Sequence, residues 1–566
     1  MFVSPYNKYC IFNTLKQSIM NHTIRYTLPS RFEQIVEKFG SRPSLSFVGE
    51  EPYSYTELNK RIDALTRLLE NLGLQSGDKV AILSANMPNW GIAYFAITFM
   101  GAVAVPLLPD FTVSEIENII NHSETKAIFI SEKLVTKLDQ LKANTLIYQI
   151  SIEDFTVVKT HDETPIYNPE SKPVNRYTIL EDDLAAIIYT SGTTGNPKGV
   201  MLSHKNISIT AEQALCVRPV NEKDRFLSIL PLSHTYENTL GFVMPMLCGS
   251  SVYYLGKQPT PSVLLPALLE VKPTMIFAVP LIIEKIYRNR ILPAFTKKWT
   301  VRQLYKVPFI RKTLNKLAGK KLIETFGGEI EFFGIGGAKL DRKVEQFLIE
   351  ANFPYSIGYG LTETAPLLAG MKTYAFRLQS TGPAITGVEL KINQPDTKTG
   401  EGEIWARGAN VMKGYYKEPE LTAEVITPDG WFKTGDLGAF DEDRYLHIRG
   451  RLKNIIIGAS GENIYPEEIE SIINEFPDVL ESLVVHQKGR LVALVHLNME
   501  ELQAKYSELI EKGSQQAEQK MNELLKELQN YINENVNKFS QVQLVTIQPE
   551  PFEKTATQKI KRFLYN

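Results

Sequence analysis

The sequence predicts an α/β protein: a large N-terminal domain of parallel-rich sheets layered with helices, followed by a small α+β C-terminal domain. Three observations carry this. At 566 residues the chain exceeds the ~250–300 residues at which a single core stops growing. Its first half alternates short β-branched apolar runs with helix-period segments, the pattern of βαβ units buried on both faces. After about Gly450 the pattern changes to a short acidic helix, two strands and a long amphipathic helix. The composition, 43% hydrophobic and 22% charged with a net charge of −2, fits a folded soluble protein and excludes whole-chain disorder, collagen and coiled coil. Nothing in that balance calls for nucleic acid.

Residues 1–19 lack the basic and apolar regions of a signal peptide. They are expected to form a flexible extension, with Met20 a natural start. Lys79–Ser84 reads as a strand, Asn89–Met100 as a buried helix and Ala102–Val105 as a second strand. The uncharged run Trp90–Pro109 has the length of a membrane span, but Gly101 and Pro106 divide it, so core is the expected reading. Thr112 and Glu115 have the spacing of a capping box for a helix over Ser114–Asn121. Lys126–Ser131 is the next strand, residues 158–180 a polar surface loop, and Ala185–Thr190 a strand running into a Gly/Thr loop. Residues 291–322 hold nine Lys and Arg and no acid, interleaved with Trp299, Tyr305 and Phe309. In the C-terminal part, Glu467–Phe476 reads as a helix, and Leu483–Val485 and Leu491–Leu497 as strands. Met521, Leu524, Leu525, Leu528 and Ile532 share one helical face. The expected division is 20–449 and 450–566. Cys10, Cys216 and Cys248 form neither a disulfide framework nor a metal pattern, which fits a cytoplasmic protein.

The most informative stretch is Tyr189-Thr190-Ser191-Gly192-Thr193-Thr194-Gly195-Asn196-Pro197-Lys198-Gly199. Glycines free to turn their N–H groups toward an anion, four hydroxyls and one lysine suit a polyphosphate. The spacing does not match GxxxxGK[ST], which excludes an ordinary P-loop phosphotransferase.

That stretch resembles the phosphate-loop signature of the adenylate-forming (AMP-binding) superfamily, which includes acyl-CoA synthetases, peptide synthetase adenylation domains and luciferases. Further motifs follow in the family's order. Gly336-Gly337-Ala338 resembles the adenine-side turn, Tyr359-Gly360-Leu361-Thr362-Glu363-Thr364 the second signature, and Trp431–Gly438 the third. Gly450–Lys453 with Gly461–Glu470 resembles the hinge region. Lys554–Ile560 resembles the final signature, with Gln558 where the family usually shows glycine.

The resemblance implies ATP, Mg²⁺ and coenzyme A as cofactors. Thr190, Ser191, Gly192, Thr193, Thr194, Gly195 and Lys198 would hold the β- and γ-phosphates. Thr362 would contact the α-phosphate and Glu363 would hold Mg²⁺. Asp436 would accept the ribose hydroxyls with Arg451 nearby, and Tyr359 and Gly360 would flank adenine beside Gly336, Gly337 and Ala338. Lys559 would be the catalytic lysine bridging carboxylate and α-phosphate. Lys453 takes the hinge position about which the C-terminal domain rotates to bring Gly461 toward the thiol. His234, in an apolar run, is by composition a core histidine; by resemblance it lines the acyl pocket.

Leu230–Gly241, an insertion before Gly334, Gly408–Tyr415 and the ending KIKRFLY are most similar to the long-chain fatty acid branch. The implied activity is AMP-forming long-chain fatty acid–CoA ligase. No carrier domain follows Lys559, so the expected acceptor is a diffusible thiol. The alternatives are another carboxylic acid, acyl carrier protein as acceptor, or a non-catalytic acyl-binding protein. The basic span also admits two readings: a surface held peripherally at an anionic membrane, on its inner face, or a solvated helical face that helps to bind CoA phosphates.

Overall fold

The computed structural model describes residues 25–143, 145–159, 167–168, 178–190, 197–457, 463–487, 489–499, 502, 514–555 and 559–565. The expected extension 1–19, most of the expected loop 158–180, and Ser191–Gly195 and Gly461 lie outside them.

Two parallel-rich sheets form the N-terminal part. One has eight strands in the order Gly414–Tyr415, Lys198–Ser203, Leu184–Thr190, Val103–Leu107, Lys79–Leu83, Ala127–Ile130, Tyr148–Ser151, Val157–Lys159. The other has seven: Leu45–Phe47, Ser251–Tyr254, Arg225–Ser228, Met275–Ala278, Phe332–Ile335, Tyr355–Tyr359, Ala369–Gly370. A four-stranded antiparallel sheet of Val388–Asn393, Gly402–Gly408, Phe432–Phe440 and Leu446–Arg451 follows.

The uncharged run is core. Helix Pro88–Phe99 is buried on every side, as a helix apolar all round must be. Phe95 packs on Phe242 at 4.8 Å between ring centroids and Trp90 stacks on Tyr94 at 5.4 Å. Among the described residues no helix is long and apolar enough to cross a membrane. The strand after it is Val103–Leu107 rather than 102–105, passing through Pro106. Toward Leu184–Thr190 the ladder registers only Ala104 with Ala186, so the N–H missing at Pro106 interrupts no described pairing on that side. The capping box forms: the Thr112 N–H donates to Glu115 Oε2 at 2.8 Å, and the Glu115 N–H to Thr112 Oγ1 at 3.3 Å.

The smaller C-terminal domain is α+β. Strands Val479–Gln487, Arg490–Leu497 and Leu544–Ile547 make its sheet, and helices Pro466–Ile473 and Ser514–Asn535 pack on it. Ile469, Ile473, Leu524, Leu528 and Ile532 are buried in one cluster, with Met521 and Leu525 at its margin. Each fully buried aliphatic side chain there contributes ~1.5–3 kcal/mol relative to exposure. Among the described residues, polar side-chain links tie the domain to the larger one. Tyr465 Oη donates to Glu401 Oε2 at 2.9 Å, Lys343 pairs with Glu475 at 2.9 Å, and Lys343 Nζ donates to Tyr531 Oη at 2.9 Å.

Candidate active site

In open α/β sheets, ligands bind beyond the carboxyl ends of the strands. Here two neighbouring parallel strands, Phe332–Ile335 and Tyr355–Tyr359, end side by side. The first runs into Gly336 and Gly337, where a Cβ on Gly336 would meet the Tyr236 ring at 3.1 Å. The second runs into Gly360, whose absent Cβ would lie 1.6 Å from the Pro366 carbonyl oxygen. Glycine is therefore the residue that lets the chain fold back there. The turn Thr362–Thr364 follows, pinned by the Leu361 N–H donating to Thr364 Oγ1 at 3.0 Å.

This turn presents Glu363. Tyr415 Oη donates to Glu363 Oε1 at 2.9 Å, and Lys198 Nζ lies 5.3 Å above the Tyr415 ring. Lys198 is the first residue of its strand and stands opposite Thr190 in antiparallel register. The strand ends at Thr190 and Lys198 therefore stand side by side, with Lys198 over the ring of the Tyr415 that donates to Glu363.

On the antiparallel sheet, Asp436 stands directly opposite Arg451. Arg451 Nε contacts Asp436 Oδ1 at 3.0 Å, and Tyr359 Oη donates to Asp436 Oδ2 at 2.9 Å. Burial raises the Asp436 carboxyl, and Arg451 and Tyr359 act against that rise. The Arg451 guanidinium is in turn held charged, chiefly by Asp436.

Lys559 reaches the same place. Desolvation lowers its pKa and Arg451 lowers it further, while Asp436 and Glu363 oppose the shift. The residue keeps solvent contact. Lys453 is pushed down to about 8 by desolvation and then by Arg451, Lys559 and Lys198. His234 is pushed down to about 4 by burial and by Lys559, and its Nδ1 accepts the Tyr236 N–H at 3.2 Å. His234 is therefore a neutral imidazole carrying its proton on Nε2 at physiological pH.

Lys198, Arg451, Lys453 and Lys559 thus converge on a cleft with Asp436, Glu363 and the nearby Glu467. Lys453 and Lys559, depressed by desolvation and further by neighbouring cations, mark a positive potential suited to a polyanion. Among the described residues no group of three potential metal ligands exists. Glu363, a carboxylate beside these cations, fits Mg²⁺, a hard ion bound through one or two carboxylates and substrate phosphates.

Of the residues singled out from the sequence, Thr190, Lys198, His234, Gly336, Gly337, Ala338, Tyr359, Gly360, Thr362, Glu363, Asp436, Arg451, Lys453 and Lys559 are described. The polar contacts and mutual electrostatic influences above link Lys198, His234, Glu363, Asp436, Arg451, Lys453 and Lys559. Sequence reasoning missed Tyr415 and Glu467. Tyr415 stood in a quoted motif, but its role arises from pairing of Gly414–Tyr415 with Lys198–Ser203, more than 200 residues away.

Behind His234, Tyr236, Leu240 and Met244 face Phe277, Gly334 and Leu367 across an apolar gap of ≈ 40 Å³. The Tyr236 and Phe277 rings meet edge-on at 5.3 Å.

Residues 32–416 match the family model described as "AMP-binding enzyme". The chain is 30% identical to fatty acyl-CoA synthetase A of Dictyostelium discoideum, over 75% of this chain and 68% of that protein. It is 30% identical to 4-coumarate–CoA ligase 1 of Arabidopsis thaliana, over 80% of each. ATP-bound MatB from Rhodopseudomonas palustris superposes with a TM-score of 0.72 at 24% identity, covering 96% of this chain and 98% of that one.

Proposed function

The chain belongs to the AMP-binding enzyme family and has the fold of an AMP-forming acid–thiol ligase, and from that premise we propose that it joins a long-chain fatty acid to coenzyme A through an acyl-adenylate. The observation that carries the ligase chemistry is the cationic cleft, where four basic side chains meet around Asp436 and Glu363. Attack of a carboxylate on the α-phosphate of ATP, with pyrophosphate leaving, builds negative charge between two anions. Preorganised positive charge at that point lowers the barrier.

In this reading Thr190, Ser191–Gly195 and Lys198 hold the β- and γ-phosphates, and Thr362 donates to the α-phosphate. Glu363 holds Mg²⁺, which neutralises phosphate charge when bound. Tyr359 and Gly360 flank the adenine beside Gly336–Ala338. Asp436 accepts one bond at each oxygen. A carboxylate has about four acceptor positions, so two remain for the ribose hydroxyls. Lys559 bridges the attacking carboxylate and the α-phosphate. After pyrophosphate leaves, rotation about Lys453 withdraws Lys559 and brings Gly461 toward the thiol. His234, neutral and beside Lys559, orients the carboxylate through its Nε2 proton.

The acyl group is supported by the apolar walls behind His234 and by the naming of the fatty acyl relative. The gap of ≈ 40 Å³ is far below the roughly 300 Å³ of a formed ligand pocket. A long chain therefore enters by turning side chains aside, and Met244, unbranched and flexible, is suited to that. The same gap, walled by Tyr236 and Phe277, favours an aromatic acid as the second reading. Pyrophosphate release with palmitate against 4-coumarate, with the thioester identified by mass, decides between them. Palmitoyl-CoA and AMP are the expected products; turnover of 4-coumarate alone would move the substrate to the aryl class.

Lys453 gives a pH signature. Its pKa of about 8 is depressed partly by neighbouring cations, so a bound triphosphate raises it. The bound form then holds more protons than the free form at and above pH 8. Calorimetry of ATP binding should register proton uptake there, and affinity should fall as pH rises through about 8. Lys453→Met should flatten that dependence; an unchanged profile in the variant would place the titration elsewhere.

A further inference from the structure

We propose that helices Trp299–Tyr305 and Pro308–Thr325 form a docking surface for an anionic lipid bilayer. The span 291–322 carries nine positive charges and no negative one in a chain whose net charge is −2. Among the described residues, Arg311 is the one of the nine paired with a carboxylate. Its Nε and a terminal amino group donate to Glu350 at 3.0 and 2.7 Å. Asn315 and Gln346 donate to the same carboxylate at 2.8 and 3.1 Å; the Arg311–Glu350 pair is neutral as a unit, which leaves the other cations of the span as net positive charge.

Apolar side chains on the same helices face outward. Phe309, 81% exposed, and Trp299, 66% exposed, are the two most exposed large hydrophobic residues described, and Leu304, Val307 and Leu317 are exposed beside them. Large aromatics left in water beside unpaired cations match the membrane interface, where rings sit at headgroup level and cations meet anionic lipid. The platform is held rigid from below. Phe295 stacks on Tyr305 at 4.9 Å and Tyr305 Oη donates to Asn315 Oδ1 at 2.9 Å. Between this surface and helix Arg342–Ala351 a cleft of ≈ 370 Å³ is lined by Phe309, Lys312, Thr313 and Lys316 on one side and by Gln346, Ile349 and the Arg311-paired Glu350 on the other. Its two lysines, one helical turn apart, face the space a lipid phosphate would fill. Charge complementarity selects the bilayer over a neutral apolar partner.

Sedimentation of the full chain with phosphatidylcholine vesicles, with and without phosphatidylglycerol, tests this. Binding is expected only to the anionic vesicles, with a blue shift of tryptophan emission and release by salt. At about a fivefold change per basic residue near the surface, Lys312→Glu with Lys316→Glu should weaken binding by roughly tenfold or more. Trp299→Ala with Phe309→Ala should abolish the blue shift. Pyrophosphate release in solution should be unchanged in both double variants, which shows that they are folded. Equal binding to neutral vesicles, or no binding to anionic ones, would overturn the proposal. So would a raised KM for coenzyme A in the lysine variant with vesicle binding intact, which would assign the charges to CoA phosphates.

Discussion

Lys559→Ala is expected to reduce acid-dependent pyrophosphate release by roughly 10²–10³-fold, the cost of removing one donor aimed at developing charge. The lysine sits where its ammonium is influenced by Arg451, Asp436 and Glu363 together and in turn lowers His234. That places it between the proposed ribose, Mg²⁺ and carboxylate positions. A residue used only in adenylation should leave the second half-reaction alone. Supplied with pre-formed acyl-adenylate and coenzyme A, the variant should form thioester within a few-fold of the wild-type rate. ATP affinity should also change little, because binding is shared with Lys198, Lys453 and Arg451. Equal losses in both half-reactions would show that the substitution damages the whole cleft, and undiminished pyrophosphate release would remove Lys559 from the mechanism.

The contacts between the two domains bear on that test. Lys343 bonds Glu475 and Tyr531, and Tyr465 bonds Glu401. These are a few partly exposed polar links, each worth ~0.2–1 kcal/mol. An interface of this kind is compatible with the proposed withdrawal of Lys559 between two steps on one site.

Much of this arrangement was legible in the sequence because it is local. The strand and helix order from Lys79 to Ile130 follows from apolar periodicity, and the capping box at Thr112 from two residues three apart; strands Tyr148–Ser151 and Val157–Lys159 were missed, the second entering the start of the expected loop 158–180. The C-terminal core helix was visible in the spacing of Leu524, Leu528 and Ile532. What escaped was non-local. Tyr415 reaches Glu363 only because a two-residue strand pairs at a sheet edge. The direct opposition of Asp436 and Arg451 depends on a register that shifts between Leu437 and Gly438, which no periodicity encodes. The depression of Lys453 comes first from burial and Arg451, and in part from Lys559 and Lys198, which lie far from it in the chain. The small volume behind His234 is likewise a property of packing between Tyr236 and Phe277 from different elements. The motifs therefore named most of the residues that the structure brings together, while their mutual electrostatics and the volume beside Tyr236 came from the assembled structure.

Asp436 offers the second large effect, and a pair of substitutions separates its two duties. The carboxylate is buried, receives Tyr359 Oη and Arg451 Nε, and in the proposed function also receives both ribose hydroxyls. In Asp436→Ala every one of those bonds is lost. Arg451 keeps solvent access, so it rehydrates in part, but the Tyr359 hydroxyl is left in a dry site. Leaving a buried donor unsatisfied costs ~1–3 kcal/mol, and thermal unfolding should register that loss. Hydrogen bonds to a charged group are worth ~1.5–3 kcal/mol each, so losing two to ribose should weaken ATP binding by about 10²-fold or more. Asp436→Asn keeps the shape and one acceptor oxygen for Tyr359. Its melting temperature should stay near wild type while ATP affinity still falls by more than tenfold, because the amide offers one acceptor where the carboxylate offered two. ATP affinity held in Asp436→Asn, with stability lost in Asp436→Ala, would make the residue a strut for Tyr359 and Arg451 and take the ribose contact away from it. Loss of affinity in both, with stability lost only in alanine, is the pattern expected of a side chain that binds the nucleotide through the same oxygens that hold the sheet to the adenine-side strand.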